Sequence, residues 1–315
     1  MSIVFGPIPS RRLGRSLGIN NIPPKVCSYS CVYCQIGATD LMSMTRKEFY
    51  PPYDIVAEIS AVVQQLHEAG KQIDYLTFVP DGEPTLDIHL GKEIEMLKPL
   101  GKPIAVITNS SLLWDDGVRA EIMKADWVSV KIDTVDESIW HRIDRPNRKL
   151  HLTKILEGIK AFADSFRGTI VTETMLVKGI NDTNESISRT AEIITAIHPA
   201  VSYISVPTRP PAERTVEPPS EEVLNGAYQI FHSMIPNVEL LVYNEGTDFT
   251  YSSDAERELL NILAVHPMRR EAVELFLSKA DAHWGMIERL IDNHVLKEIH
   301  YSGNSHIVKV LTSHS

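Results

Sequence analysis

Cysteine is scarce in this sequence. Three occur in 315 residues, and all three fall in "KVCSYSCVYCQIG", residues 25–37, as Cys27, Cys31 and Cys34. Three is odd for disulfides and one short of a four-thiolate site, so neither a disulfide scaffold nor a closed structural zinc site fits. Long apolar runs are missing as well: none approaches the ~20 residues of a membrane span. The opening "MSIVFGPIPSRRLGRS" has no apolar stretch with a small-residue cleavage site. That sets the expectation of a cytoplasmic protein whose thiols stay reduced and available to metal. Excess positive charge is absent too. The net charge of −10 speaks against a broad nucleic-acid surface. Internal repeats and low-complexity tracts are also lacking.

What is present, up to about residue 250, is an alternation of short β-rich runs and amphipathic helices. "YLTFV" (75–79), "IAVIT" (104–108), "WVSVKI" (127–132), "TIVTETMLV" (169–177) and "YISV" (203–206) read as strands, with another near Leu17–Ile19. Ile55, Ile59, Val62, Val63 and Leu66 mark one helix face, with Asp54 as its expected cap and Gly70 at its end. About six βα units imply a parallel sheet with its chemistry at the carboxyl ends of the strands. A proline-rich stretch, "VPTRPPAERTVEPP" (206–219), leaves one of those ends as an irregular loop over the mouth. From Ser253, expected to form a capping box with Glu256, three helices and a hairpin turning at Ser302-Gly303-Asn304 read as a winged-helix-like unit. The division expected is 1–250 and 251–315.

Three thiolates close in sequence suit a 4Fe–4S cluster with one iron left open for a ligand. The CxxxCxxC spacing, with the aromatic Tyr33 before the last cysteine, resembles the radical S-adenosylmethionine (radical SAM) superfamily. At the end of a strand stands "DGEPTL", similar to that family's GGEP motif, with Asp81 where its first glycine would be. The resemblance implies a partial (β/α)6 barrel. It also implies one 4Fe–4S cluster on Cys27, Cys31 and Cys34, and S-adenosylmethionine chelated to the open iron and cleaved to a 5′-deoxyadenosyl radical. An external reductant such as flavodoxin or ferredoxin would supply the electron. Asp81, Gly82 and Glu83 would orient the methionine end, with Glu83 receiving its ammonium and Asp81 as the alternative. A carboxylate beside an ammonium is sensible chemistry, and a glycine permits close backbone approach. Tyr33 would lie against the cofactor.

Further residues carry two readings each. Asn109 in "ITNSSLL" stands where the family often has TNG, and can also cap a helix. In "WVSVKIDT", Ser129, Lys131 and Asp133 share one face. By resemblance Ser129 and Lys131 reach the ribose and the methionine carboxylate; otherwise Lys131 pairs with Asp133 or Glu173. Glu173 is a cofactor or substrate contact by the same resemblance. Arg11, Arg12 and Arg15 suit a substrate carboxylate or phosphate, or a solvated turn.

"FGPIPSRRLGRSLGIN", "LVKGIND" and "PTRPPAE" are similar to the iron–sulfur oxidoreductase group related to the wyosine-synthesising enzymes, which act on tRNA and carry a second cluster. No cysteines remain here for one, so a peptide, protein or small-molecule substrate is expected, with tRNA modification as the alternative. Residues 254–315 hold nine Asp or Glu against seven Lys or Arg. That balance favours docking of a protein or peptide over specific DNA binding. A redox sensor acting through the winged helix is the rival outside enzymology.

Overall fold

The computed structural model describes residues 3–241, 254–265, 267–301 and 303–310. Its strands run β1 (Val4–Ser10), β2 (Gly14–Ile19), β3 (Val26–Cys27), β4 (Leu41–Met42), β5 (Tyr75–Phe78), β6 (Ile104–Thr108), β7 (Trp127–Lys131), β8 (Thr169–Met175), β9 (Val201–Ser205) and β10 (Val238–Leu241). Eight of them form one sheet in the order β1-β2-β5-β6-β7-β8-β9-β10. All neighbours there are parallel except the β1–β2 pair. The sheet curls into a half-barrel.

Helices α1 (Pro52–Glu68), α2 (Leu90–Leu97), α3 (Asp116–Ile122), α4 (Glu137–Ile143), α5 (Leu152–Ser165), α6 (Asn184–Thr195) and α7 (Glu221–Met234) belong to the same part of the chain. Their apolar stripes explain their seating: Leu152, Ile155, Ile159 and Phe162 of α5 are buried, as are Ile187, Ala191 and Ile194 of α6. Each such Leu, Ile or Phe contributes ~1.5–3 kcal/mol when fully buried. The expected α1 needs two corrections. It starts at Pro52 with no side-chain cap, and Asp54 lies inside its first turn. Proline's fixed φ suits that start, and a carboxylate there complements the helix dipole. Val62 and Val63 are only partly buried.

Two strands of the eight-stranded sheet escaped the sequence reading, as did the two-residue strands β3, β4 and β11. β1 holds Gly6, Pro7 and Pro9, a composition that argues against a strand unless it is an edge, and an edge is where it lies. β10 is four residues long, too short for a period to register.

Beyond the barrel come α8 (Ala255–Val265), β11 (Met268–Arg269), α9 (Arg270–Lys279), α10 (Gly285–Asp292), β12 (Leu296–Tyr301) and β13 (Asn304–Lys309). Their strands form an antiparallel sheet ordered β11-β13-β12. The expected division at 250 and the residues Ser253 and Ser302 lie outside the described residues. Asp254 caps α8, accepting from Arg257 N at 3.0 Å. The core of this unit is not its own: Leu259, Ile262, Phe276, Ile287 and Ile307 pack in one cluster with Phe5 and Ile8 of β1. Its hairpin also touches the barrel, where Tyr301 Oη donates to the carbonyls of Pro207 at 3.2 Å and Val216 at 3.3 Å.

Candidate active site

The cysteine loop lies between β3 and β4, two short parallel strands. Main-chain hydrogen bonds hold it on two sides. On one, Lys25 N donates to Asp81 O at 2.6 Å and Glu83 N to Val26 O at 3.2 Å, zipping it to "DGEPTL". On the other, Ser30 N reaches Asp144 O at 3.0 Å and Val32 N reaches Ile143 O at 2.9 Å at the end of α4. Gly82 is required here for a close backbone approach, and its partner is the strand that leads into the cysteine loop. A Cβ on it would stand 2.0 Å from Val26 O, so the glycine is where the two motifs close on each other.

The three thiols lie near enough to act on one another electrostatically, and Cys34 alone of them lines the cavity described below. Burial, with Glu83 nearby, pushes Cys27 up to about 12. Burial and Asp144 raise Cys31, which donates to Asp144 Oδ1 at 3.2 Å. Burial raises Cys34 too, against the pull of Lys131. Iron would take the place of these protons. Among the described residues no trio of His, Cys, Asp or Glu closes on a point that would hold a single ion.

Glu83 and Asp81, two residues apart, are in opposite conditions. Glu83, 1% exposed, accepts four hydrogen bonds: Thr85 N at 3.1 Å, Thr85 Oγ1 at 2.5 Å, Thr108 Oγ1 at 2.6 Å and Asn109 N at 2.7 Å. It joins the ends of β5 and β6. Asp81 is also 1% exposed, yet neither carboxylate oxygen has a hydrogen-bond partner. Burial pushes its carboxyl up to about 8 against the opposing pull of Lys309 on β13. Asp81 borders a recess that it shares with Gln35 and Ile36 of the cysteine loop. A buried carboxylate without a partner fits a missing cation, and the methionine ammonium of S-adenosylmethionine is one.

Asn109 caps no helix: the next one, α3, is capped by Asp115. The Asn109 carbonyl instead accepts from Ser111 N at 2.9 Å, closing a turn. Its amide faces Cys27 Sγ at 3.4 Å and Ser28 Oγ at 3.0 Å. Of the polar face on β7, Ser129 is 1% exposed within the sheet and is not part of the cavity wall described next. Lys131 is on that wall. Its ammonium lies 3.6 Å from Glu173 Oε1 and 4.7 Å from the centre of the Tyr33 ring. Burial alone would depress Lys131, but Asp133 and Glu173 more than offset that and keep it charged. Glu173 also pairs with Arg12 and accepts from Ser205 Oγ at 3.1 Å. Burial would raise its carboxyl; Arg12 and Lys131 instead bring it to about 2. Tyr33 donates its hydroxyl to Asp133 and to Asp144 Oδ1 at 3.0 Å. Burial raises both of those carboxyls.

These groups border a cavity of about 270 Å³ at the carboxyl ends of β7, β8 and β9. Cys34, Tyr33, Lys131 and Glu173 line it, together with Arg11 and Arg12 from the β1–β2 turn and Val206–Arg209 of the proline-rich loop. Sequence reasoning missed Asp144, Ser205 and Arg209 as members of the site. Only the proline loop's position after β9 hinted at the last of them.

The fold and this site define a class: the chain belongs to the radical SAM superfamily, whose family model matches residues 21–192. It is an enzyme of that superfamily, which works with a 4Fe–4S cluster and S-adenosylmethionine and needs an external reductant. Within the class it is similar to a UPF0026 protein of Methanocaldococcus jannaschii, 46% identical over 315 residues, 99% of this chain and 98% of that one. Streptococcus suis SuiB bound to S-adenosylmethionine superposes with a TM-score of 0.53 at 12% identity, over 71% of this chain and 49% of SuiB. A radical SAM methyltransferase from Sphaerobacter thermophilus gives 0.52 at 14% identity, over 72% of this chain and 66% of the methyltransferase. At those identities the two structures bear on the fold alone. Among the described residues no helix is long and apolar enough to cross a membrane.

Proposed function

We propose that Cys27, Cys31 and Cys34 hold one 4Fe–4S cluster and that Asp81 receives the methionine ammonium of S-adenosylmethionine. The observation that carries this reading is Asp81: a carboxylate 1% exposed with both oxygens unpartnered, bordering a recess with Gln35 and Ile36 of the cysteine loop. Glu83, with its four hydrogen bonds already made, positions the motif and is not the ammonium ligand. Gly82 lets the motif approach the loop, and Asn109 orients Cys27. Lys131 and Glu173 border the cofactor's cavity, while Ser129 serves the sheet. When bound, the cluster supplies the electron that cleaves S-adenosylmethionine and starts radical chemistry on the substrate. The residues of this chain bind, orient and exclude water. A ferredoxin or flavodoxin in the cytoplasm is the reductant of this reading.

The unit from 254 onward is read as winged-helix-like: a helix, a strand, two helices and a hairpin, with the sheet ordered β11-β13-β12. The helix that would enter a DNA groove, α10, carries Glu288 and Asp292, and its Arg289 pairs with Glu256 on α8. Phosphate neutralisation drives DNA affinity, so this surface favours docking a protein or peptide instead.

The test is anaerobic reconstitution. The full chain should bind ~4 irons and release 5′-deoxyadenosine on reduction. Cys31→Ala should do neither. A redox-inert zinc bound in place of the cluster, in protein prepared without oxygen, would defeat the reading.

A further inference from the structure

We infer that the external reductant is a small acidic one-electron carrier protein, and that it docks on β4 at the Cys27 end of the cysteine loop. This deepens the reading above and rests on it, since it takes Cys27 for a cluster ligand.

An open strand stands beside that ligand. β4 belongs to a two-stranded sheet with β3, and the register sets Met42 opposite Cys27. Ser43 N donates to Cys27 O at 2.9 Å. One strand spacing, ~4.8 Å, therefore separates the Cys27 backbone from side chains that meet solvent. Leu41 is 50% exposed and Met42 37%. Successive side chains of a strand point to opposite faces, so β4 is open on both. Ile88, 41% exposed, is tied to the segment that follows β4, its N donating to Lys47 O at 3.2 Å. Single apolar side chains in water need no explanation; a group of them marks a surface that meets a partner. The cavity does not use this surface: Tyr33–Ile36 of the loop line it, and β4 does not.

Free cations flank the same loop. Arg148 and Lys149 are exposed and have no carboxylate partner among the described residues. They follow Asn147, whose N donates to Ser28 O at 2.9 Å, next to Cys27. Lys47, exposed and likewise without a carboxylate partner, lies over the Phe49 ring. The acids of the intervening stretch are engaged. Asp40 faces Lys25 at 3.8 Å, and Glu48 Oε2 lies 2.8 Å from His89 Nε2. The chain as a whole carries a net charge of −10, which repels an acidic partner over most of its surface. Free cations beside β4 reverse that sign locally and steer such a partner to this face. Apolar side chains ringed by charge are also the anatomy of a protein interface.

The transfer is balanced. One electron leaves the reduced carrier and enters at Cys27; no bond forms or breaks, no proton moves, and the carrier departs oxidised by one electron. Entry at Cys27 leaves the Cys34 end to cofactor and substrate, so the carrier docks without opening the cavity to water.

The experiment is calorimetric titration of an acidic flavodoxin, and separately of an acidic ferredoxin, into the anaerobically reconstituted full chain. At least one should bind one to one, and more weakly as salt rises. Leu41→Ser with Met42→Ser should weaken it by about ten-fold or more, the worth of burying such side chains. Lys149→Glu should weaken it by about three-fold. Arg15→Glu makes the same charge change at the start of β2, where Arg15 pairs with Asp74, and should leave binding unchanged. Release of 5′-deoxyadenosine driven by the reduced carrier should fall in step with binding. Release driven by dithionite, which needs no docking, should stay at the wild-type rate in every variant and shows that each is folded. Three results would overturn the inference: binding of neither carrier, affinities unmoved by the β4 variant, or an equal loss with Arg15→Glu. A homodimer in sedimentation that the β4 variant dissolves would assign the face to a second copy of the chain, and defeats it too. Failure of the cluster reading shows separately, as wild-type protein that releases no 5′-deoxyadenosine even with dithionite.

Discussion

The two sides of the cavity are built by different means. The cysteine loop is held by main-chain hydrogen bonds to "DGEPTL" and to the end of α4. The charged groups of the opposite wall are held by side chains: Arg12 and Lys131 on Glu173, and Arg209 on Gln35. Main-chain ties do not depend on which side chains are present, provided none intrudes. Side-chain ties change with each substitution. The first kind suits chemistry common to a superfamily, and the second suits selection of one substrate.

The largest effect should come from forcing a side chain into the first side. Gly82→Ala puts a methyl where Val26 O already stands, at 2.0 Å, and either the loop or the strand end must move. The cost is ~3 kcal/mol, the upper part of the overpacking range or more, and reconstituted protein should lose most of its iron. Full iron content in Gly82→Ala would show that the main-chain zipper is dispensable and erase the contrast.

A middling effect concerns Asp81. Its folded carboxyl, pushed up to about 8 by burial, sits above the ordinary value of 3.8, so the native state binds the proton more tightly than the unfolded chain does. Stability of the cofactor-free protein therefore falls as pH rises from about 4 to about 8. Glu93, pushed up by burial to about 9, contributes a slope of the same sign. Asp81→Asn should flatten part of that slope in urea unfolding at pH 5 and pH 8. It should also weaken S-adenosylmethionine by about ten-fold or more, the worth of a charge-assisted hydrogen bond, with iron content retained. An unchanged slope and affinity would return the ammonium to another group.

The smallest effect should follow Tyr301→Phe. It removes one hydroxyl shared between two carbonyls, worth ~1 kcal/mol. Global stability should barely move, while proteolytic nicking within 207–216 should increase. Equal protection in both proteins would mean that the loop's own contacts suffice.

How much of this was legible in the sequence depended on range. The strands "IAVIT" and "YLTFV", the thiolate spacing and the DGEP turn are local patterns, and they were read. The sequence put Glu83 ahead of Asp81 for the ammonium, because what separates them lies in Thr108 and Asn109, some 25 residues on, which supply partners to Glu83 and not to Asp81. Lys131 and Glu173 were paired by parity alone, since β7 and β8 set them in register. Arg12 as the third member of that group had no signal at all.

Phe5 and Ile8 have a consequence for how the protein is made. Their apolar partners, from Leu259 to Ile307, emerge from the ribosome about 250 residues after them. At ordinary elongation speeds that is roughly 12–50 s during which the outer face of β1 has nothing to cover it. A strand at the edge of a growing sheet is then open to pairing with another nascent chain. Pro7 and Pro9 lie in that strand, each without an amide hydrogen to offer. The prolines that disguised β1 in the sequence thus act as its guard during the wait.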